Sequence, residues 1–204
     1  MADAIHVALV DDDAAVRDAL QLFFTRRRVR ITCFDTAQAF LEGDCDSFDC
    51  VVTDVRMPGM SGLELAQQLL RRGWTRPILL ITGHGDIDMA VSAVKSGASD
   101  FIEKPFDENR LLASIRDAVE KWRARVNVAA EQEKMQARFE QLSVRQRQVM
   151  DLAAAGLSSK EIGARLNISP KTVDNHRAWV MLRMGARNVA ELVRIAMQLE
   201  RRVH

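Results

Sequence analysis

Tyrosine is missing from the chain, and cysteine, proline and tryptophan occur only three, four and three times in 204 residues. Cys33, Cys45 and Cys50 form no C-x-x-C pair and cannot all be matched in disulfides, which leaves small apolar fillers in place of a disulfide framework or thiolate zinc site. No apolar run approaches the roughly 18 residues that a membrane span needs. The stretch Met1-Ala2-Asp3-Ala4-Ile5-His6 has neither the basic nor the apolar region of a signal peptide, so a cytoplasmic protein without a membrane partner is expected. Glycine and proline are both absent from Asp107 to Leu142. Without a turn former, that segment predicts one long helix.

What is present divides in two. Hydrophobic residues make up 48% and charged residues 28%, a globular balance with enough chain for two modest domains. Residues 1–121 carry 14 Lys and Arg against 20 Asp and Glu, a net −6, while residues 122–204 carry 15 against 8, a net +7. A basic half favours a polyanion such as nucleic acid. An acidic half suits metal ions or phosphate chemistry.

The acidic half alternates short apolar runs with helical patterns. Ile5–Val10, Val29–Phe34, Cys50–Thr53, Pro77–Thr82 and Asp100–Glu103 read as strands. Ala14–Arg27, Ala37–Leu41, Gly62–Arg72, Ile87–Ser96 and a segment after Asp107 read as helices. Five such pairs with short loops predict a doubly wound, five-stranded parallel sheet. In that fold the strand ends share one edge, where ligands bind. Asp11, Asp12 and Asp13 follow the first strand, Asp54 ends the third, Thr82 the fourth, and Lys104 the fifth. Alone, Asp54 would serve as well for a helix cap as for chemistry. Together, carboxylates a few ångströms apart repel by about 4 kcal/mol per pair at an effective dielectric near 20, and so favour a hard divalent cation. One of them can then attack a phosphoryl group while cation and ammonium neutralise the developing charge.

Val10-Asp11-Asp12, Asp54-Val55-Arg56-Met57-Pro58 with Gly62, Thr82-Gly83-His84-Gly85-Asp86 and Lys104-Pro105-Phe106 resemble the receiver domain of two-component response regulators over about residues 4–121. The resemblance implies a flavodoxin-like (βα)5 fold, with Asp54 as phosphoacceptor and Mg²⁺ or Mn²⁺ held by Asp11, Asp12, Asp54 and the Arg56 backbone carbonyl. It implies that Lys104 grips the phosphoryl group, that Thr82 and Phe101 form a switch pair, and that Lys104–Pro105 is cis. Phe101 stands where many members have Tyr, so the switch would work by ring burial alone. His84 reads as a loop residue, since the phosphodonor histidine belongs to a kinase. A phosphatase or mutase using a D-x-D nucleophile would want an acid at 56; Arg56 argues against such an enzyme.

In the connector, Leu111, Ile115, Val119, Trp122, Val126 and Ala129 recur at spacings of 4 and 3, weaken through Glu131–Lys134, and resume at Met135, Phe139 and Leu142. One helix with a hinge near 128–134 is predicted. The basic half predicts four helices, opened by Ser143, Ser158, Ser169 with Pro170, and Asn188. The tight turn Asn167-Ile168-Ser169 suggests a helix-turn-helix. On the third helix Val173, Val180 and Met184 point inward. Asn175 and Asp174 on the polar face suit adenine and cytosine, while Lys171, Thr172 and Arg177, with Lys160 before them, suit the DNA. His176 reads as a packed residue.

Lys160-Glu161-Ile162, Leu166-Asn167-Ile168-Ser169, Thr172-Val173-Asp174-Asn175-His176 and Met184-Gly185 resemble the LuxR-type effector domain. The whole chain is similar to the FixJ/NarL family, and within it to the FixJ group tied to nitrogen fixation or low-oxygen response. The boundaries this implies are a receiver at 1–121, a helical linker at 122–141 and an all-α, four-helix DNA-binding domain at 142–204. The implied function is transcriptional activation after transfer of a phosphoryl group from a sensor histidine kinase. Homodimerisation through the 87–96 helix and the fifth strand would follow, with contact to RNA polymerase and no catalysis beyond slow self-dephosphorylation. A LuxR-type regulator gated by a small ligand is the alternative. It would need an aromatic pocket and would have no use for Asp11, Asp12 or Lys104.

Overall fold

A computed structural model of the chain describes residues 4–83, 91 and 97–200. It divides into two units, Met1–Arg125 and Val126–His204. In the first, β1 (Ile5–Val10), β2 (Val29–Phe34), β3 (Cys50–Asp54), β4 (Ile78–Thr82) and β5 (Asp100–Glu103) form one sheet in the order β2-β1-β3-β4-β5, every pair parallel. Continuous apolar runs were the signal for this. β3 and β4 are buried at every position because both faces of a parallel sheet are covered.

Alternation along the strands sorts two cores. Ala8, Val10, Val51 and Leu80 face α2 (Ala37–Glu42) and α3 (Gly62–Arg71), where Phe40, Leu65 and Leu69 pack. Val7, Leu9, Val52 and Ile81 face α1 (Ala14–Thr25) and the first turns of α4 (Glu108–Glu140), with Leu20, Phe24, Leu111 and Ile115. A 3₁₀ turn at Cys45–Ser47 has no counterpart in the sequence reading. The cysteines are free, Cys50 fully buried and its thiol pushed up by that burial. His84 and the helix expected over 87–96, which is one half of the expected dimer face, lie, apart from Val91, outside the described residues.

α4 is helical throughout its 33 residues, including the stretch 128–134 where a hinge is expected. Its sequence there is Val128-Ala129-Ala130-Glu131-Gln132-Glu133-Lys134, mostly strong helix formers, with a Lys134–Glu131 pair at 2.9 Å. Loss of apolar periodicity marked the end of packing, not the end of the helix.

The second unit packs α5 (Val144–Ala154), α6 (Ser159–Leu166), α7 (Pro170–Met184) and α8 (Val189–Glu200) around Val149, Met150, Ile162, Val173, Val180 and Leu192. Ser143 with Gln146, and Ser158 with Glu161, form complete capping boxes. Ser169 caps α7 with Pro170 at its start, and Gly185 ends it at φ +70°. Between α6 and α7, Asn167 takes the left-handed conformation and the chain reverses directly over Gly163. A Cβ at Gly163 would lie 2.7 Å from the Ile168 carbonyl oxygen.

Candidate functional site

β1 and β3 are neighbours while their crossovers leave in opposite directions, which opens the sheet's ligand crevice between their carboxyl ends. Asp11 and Asp54 stand there, 0% and 8% exposed. Asp11 accepts the Asp13 N–H at 2.9 Å, and Asp54 accepts the Arg56 N–H at 3.2 Å, so each carboxylate is oriented by the loop that follows it. Asp12 is exposed, and its carboxylate with those of Asp11 and Asp54 places three oxygens within 4.8 Å of one another. Asp13 turns away and caps α1 by accepting the Ala15 N–H at 2.8 Å.

From the end of β5, Lys104 spans the pair: its Nζ lies 2.6 Å from Asp54 Oδ2 and 3.4 Å from Asp11 Oδ2. The Lys104–Pro105 peptide is cis, as the resemblance implied. Burial pulls the ammonium down, but the hydrogen bond to Asp54 and the charges of both acids outweigh it and hold Lys104 above its ordinary value. For Asp11, burial leads, and with the Asp54 charge it pushes the carboxyl up despite the Asp13 N–H and Lys104. A carboxyl raised in the folded state contributes stability below its unfolded pKa and loses that contribution as pH rises through the folded one. Asp11→Asn is therefore expected to raise the unfolding temperature in chelator at about pH 7. The gain should vanish as pH falls below about 4. A melt series that shows Asp11→Asn destabilised at neutral pH contradicts this.

Thr82 is fully buried at the end of β4 and its hydroxyl donates to the Gly83 carbonyl at 3.1 Å. Phe101, on β5, is half-buried against the core on the α3 side. Two supports complete the crevice, of which the motifs name only Gly62. Arg17 on α1 donates to the Asp11 backbone carbonyl at 2.6 Å, a cation six residues downstream with nothing in the motif to mark it. Gly62 begins α3 directly against β3: a Cβ there would overlap the Asp54 carbonyl oxygen and crowd the Thr53 hydroxyl. Ser61 and Glu64, a capping-box pair legible in the sequence but not singled out, fix that helix start.

In the second unit, Lys171, Asp174 and Asn175 are exposed on α7, Thr172 and Arg177 half-exposed, and Lys160 exposed on α6. Val173, Val180 and Met184 are buried as expected, and His176 is half-buried. The Ser159 hydroxyl donates to Asp174 Oδ1 at 2.6 Å, and Arg177 donates to Ser159 Oγ at 3.3 Å. One carboxylate oxygen of Asp174 is thus occupied by the first helix of the pair.

An acidic crevice at the strand ends spanned by a lysine, on the same chain as a helix-turn-helix, points to one class of protein. Residues 7–116 match the response regulator receiver domain and residues 140–196 the bacterial regulatory proteins of the luxR family; the chain belongs to the response regulators with a LuxR-type output domain. It is a phosphorylation-activated transcriptional regulator. Among its relatives, the transcriptional regulatory protein FixJ of Bradyrhizobium diazoefficiens is 45% identical over 95% of both chains. FixJ of Rhizobium meliloti is 42% identical over 94% of both. The solved structure of the response regulator StyR superposes with a TM-score of 0.84 at 37% identity, over 96% of this chain and 99% of that one.

Proposed function

We propose that Asp54 accepts the phosphoryl group from a sensor histidine kinase and that the new charge switches DNA occupancy by the second unit. The observation that carries this is Lys104 Nζ at 2.6 Å from Asp54 and 3.4 Å from Asp11. An ammonium already between two acids at the crevice needs little movement to take a phosphoryl oxygen. Asp11, Asp12 and Asp54, with the Arg56 carbonyl, would hold Mg²⁺ or Mn²⁺: an all-oxygen donor set of concentrated negative charge fits such a cation. The cation supplies charge neutralisation on the phosphoryl oxygens. Asp54 is the nucleophile, held by the Arg56 N–H, while Arg17 fixes the loop that carries Asp12.

Once a group of about −1.5 to −2 charge sits on Asp54, the Thr82 hydroxyl exchanges the Gly83 carbonyl for a phosphoryl oxygen. Phe101 then turns inward, and the face formed by β5 and the 87–96 segment pairs with a second copy. The boundaries that suit this are a receiver at 1–121, a helical linker at 122–141 and a DNA-binding domain at 142–204. Apart from accepting and slowly losing its own phosphoryl group, the chain performs no catalysis. It acts in the cytoplasm with RNA polymerase as its downstream partner. Similarity to the transcriptional regulatory protein FixJ of two organisms supports control of nitrogen-fixation or low-oxygen genes. Mass spectrometry after incubation with acetyl phosphate and Mg²⁺ tests the acceptor: one phosphoryl group on Asp54 is expected, and a group elsewhere or none contradicts it.

On DNA, Asn175 and the remaining oxygen of Asp174 read bases, with Lys160, Lys171, Thr172 and Arg177 on the backbone. Lys171→Ala is expected to weaken all sequences alike and to reduce the slope of log K against log salt by about 1. A change of sequence preference with an unchanged slope would place Lys171 on a base instead.

A further inference from the structure

The exposed row of α7 does not stop where its polar residues do. Lys171, Asp174 and Asn175 occupy it in the first half, and Ala178, Trp179, Leu182 and Arg183 continue it. These positions are spaced by 3 and 4 and therefore share one helical face. Trp179 is 59% exposed and Leu182 74%, while Val173, Val180 and Met184 do the packing on the opposite side. The core makes little use of either side chain. Beside them is a groove of about 400 Å³ lined by Arg138, Gln141, Trp179, Leu182, Arg183 and Gly185. It has cations at its rim and no carboxylate among its lining residues.

An apolar strip with a cationic rim fits either a protein segment rich in acids or a nucleic-acid duplex. Continuity with Lys171 and Asn175 favours the duplex. From Asn175 to Leu182 the helix advances about 10 Å, the length of three base-pair steps at roughly 3.4 Å each. A duplex seated on one end of the row extends past the other, and a protein held there would compete with it. In the major groove, moreover, thymine presents an apolar group, its C5-methyl, which Ala and other apolar side chains recognise by contact.

We propose that Ala178, Trp179 and Leu182 form a second, apolar reading segment of α7 that selects thymine by its methyl group, with Arg138 and Arg183 on the adjoining phosphates. This rests on DNA binding through the first half of the same helix. It adds a specificity determinant that the polar residues do not supply.

The test uses the full-length chain, activated with acetyl phosphate and Mg²⁺, and duplexes recovered by selection from a random-sequence pool. Thymines are replaced one at a time by uracil, which deletes the methyl and keeps every hydrogen-bonding group. Wild type is expected to lose up to about tenfold in affinity at one or two of these positions. Trp179→Ala and Leu182→Ala are expected to bind the thymine duplex more weakly by a similar factor and to become indifferent to uracil, with unchanged melting curves because both side chains are exposed. Trp179→Phe should restore part of the discrimination. Equal affinity and equal uracil sensitivity in wild type and both alanine variants would overturn the proposal and assign the strip to a protein partner. Uracil indifference in wild type would overturn it too. If Asn175→Ala and Lys171→Ala also leave selection and affinity unchanged, the DNA-reading assignment of α7 itself has failed, a different result from failure at Trp179 alone.

Discussion

Asp54→Asn is expected to reduce Mg²⁺-dependent phosphoryl uptake from acetyl phosphate by on the order of a thousandfold or more, to background. The amide keeps the shape of the side chain and an oxygen for the Arg56 N–H, but it removes the nucleophile and one partner of Lys104. The fold should survive, because the substitution also removes a charge from a crowded, buried pair of acids. Lys104→Gln separates two roles. It leaves the nucleophile in place and takes away the ammonium that lies between both carboxylates. Uptake should fall by a smaller factor, of about ten to a hundredfold, and the variant should melt below wild type in chelator because Asp11 and Asp54 are left facing each other. Radiolabelling alongside thermal melts distinguishes the two. Equal labelling of Asp54→Asn and wild type would remove Asp54 from the chemistry.

The second large effect belongs to the DNA-binding unit. Gly163→Val is expected to destabilise it by about 3 kcal/mol, most of what a small helical unit possesses. The reason is local: Gly163 accepts the Ile168 N–H at 3.0 Å, and any Cβ would press on the Ile168 carbonyl, which is backbone and part of the turn itself. Gly163→Ala should show a smaller loss of the same sign. Phosphoryl uptake at Asp54 should be unaffected, since the receiver sheet and both of its cores are built from the first unit. Full DNA affinity in Gly163→Val would show that the turn between α6 and α7 can open without harm.

Much of this was legible in the sequence because the signals were redundant. Five apolar runs with helical patterns between them dictate a parallel sheet. Once the strand ends share an edge, Asp11, Asp54, Thr82 and Lys104 meet at the crevice whatever the detail of the loops. The caps at Ser143, Ser158 and Ser169 were equally plain, as each satisfies donors that a helix start leaves open. What escaped was set by rotamers and by non-local contact. The Thr82 hydroxyl turns to the Gly83 carbonyl, and Ser159 engages Asp174 across the helix pair; neither choice leaves a mark in spacing. Arg17 reaches the backbone of Asp11, a bond that residue type alone does not forecast. Through 128–134 the apolar periodicity weakens while the residues themselves favour helix, and the segment is helical.

Trp179 and Leu182 show the same limit from the other side. Their spacing places them on the row of Asn175, but only their exposure shows that the core leaves them free to contact something else.

The most direct measurement is the affinity of the full-length chain for a selected duplex, with and without acetyl phosphate and Mg²⁺, for wild type and Asp54→Asn in parallel, with sedimentation followed in the same samples. Wild type is expected to tighten by roughly 5- to 150-fold on phosphorylation, the range of an ordinary coupling energy, and to dimerise as it does so. Asp54→Asn should show neither change while keeping the basal affinity of unphosphorylated wild type. An equal gain in both proteins, or none in either despite full labelling of Asp54, would contradict a phosphoryl switch at that residue.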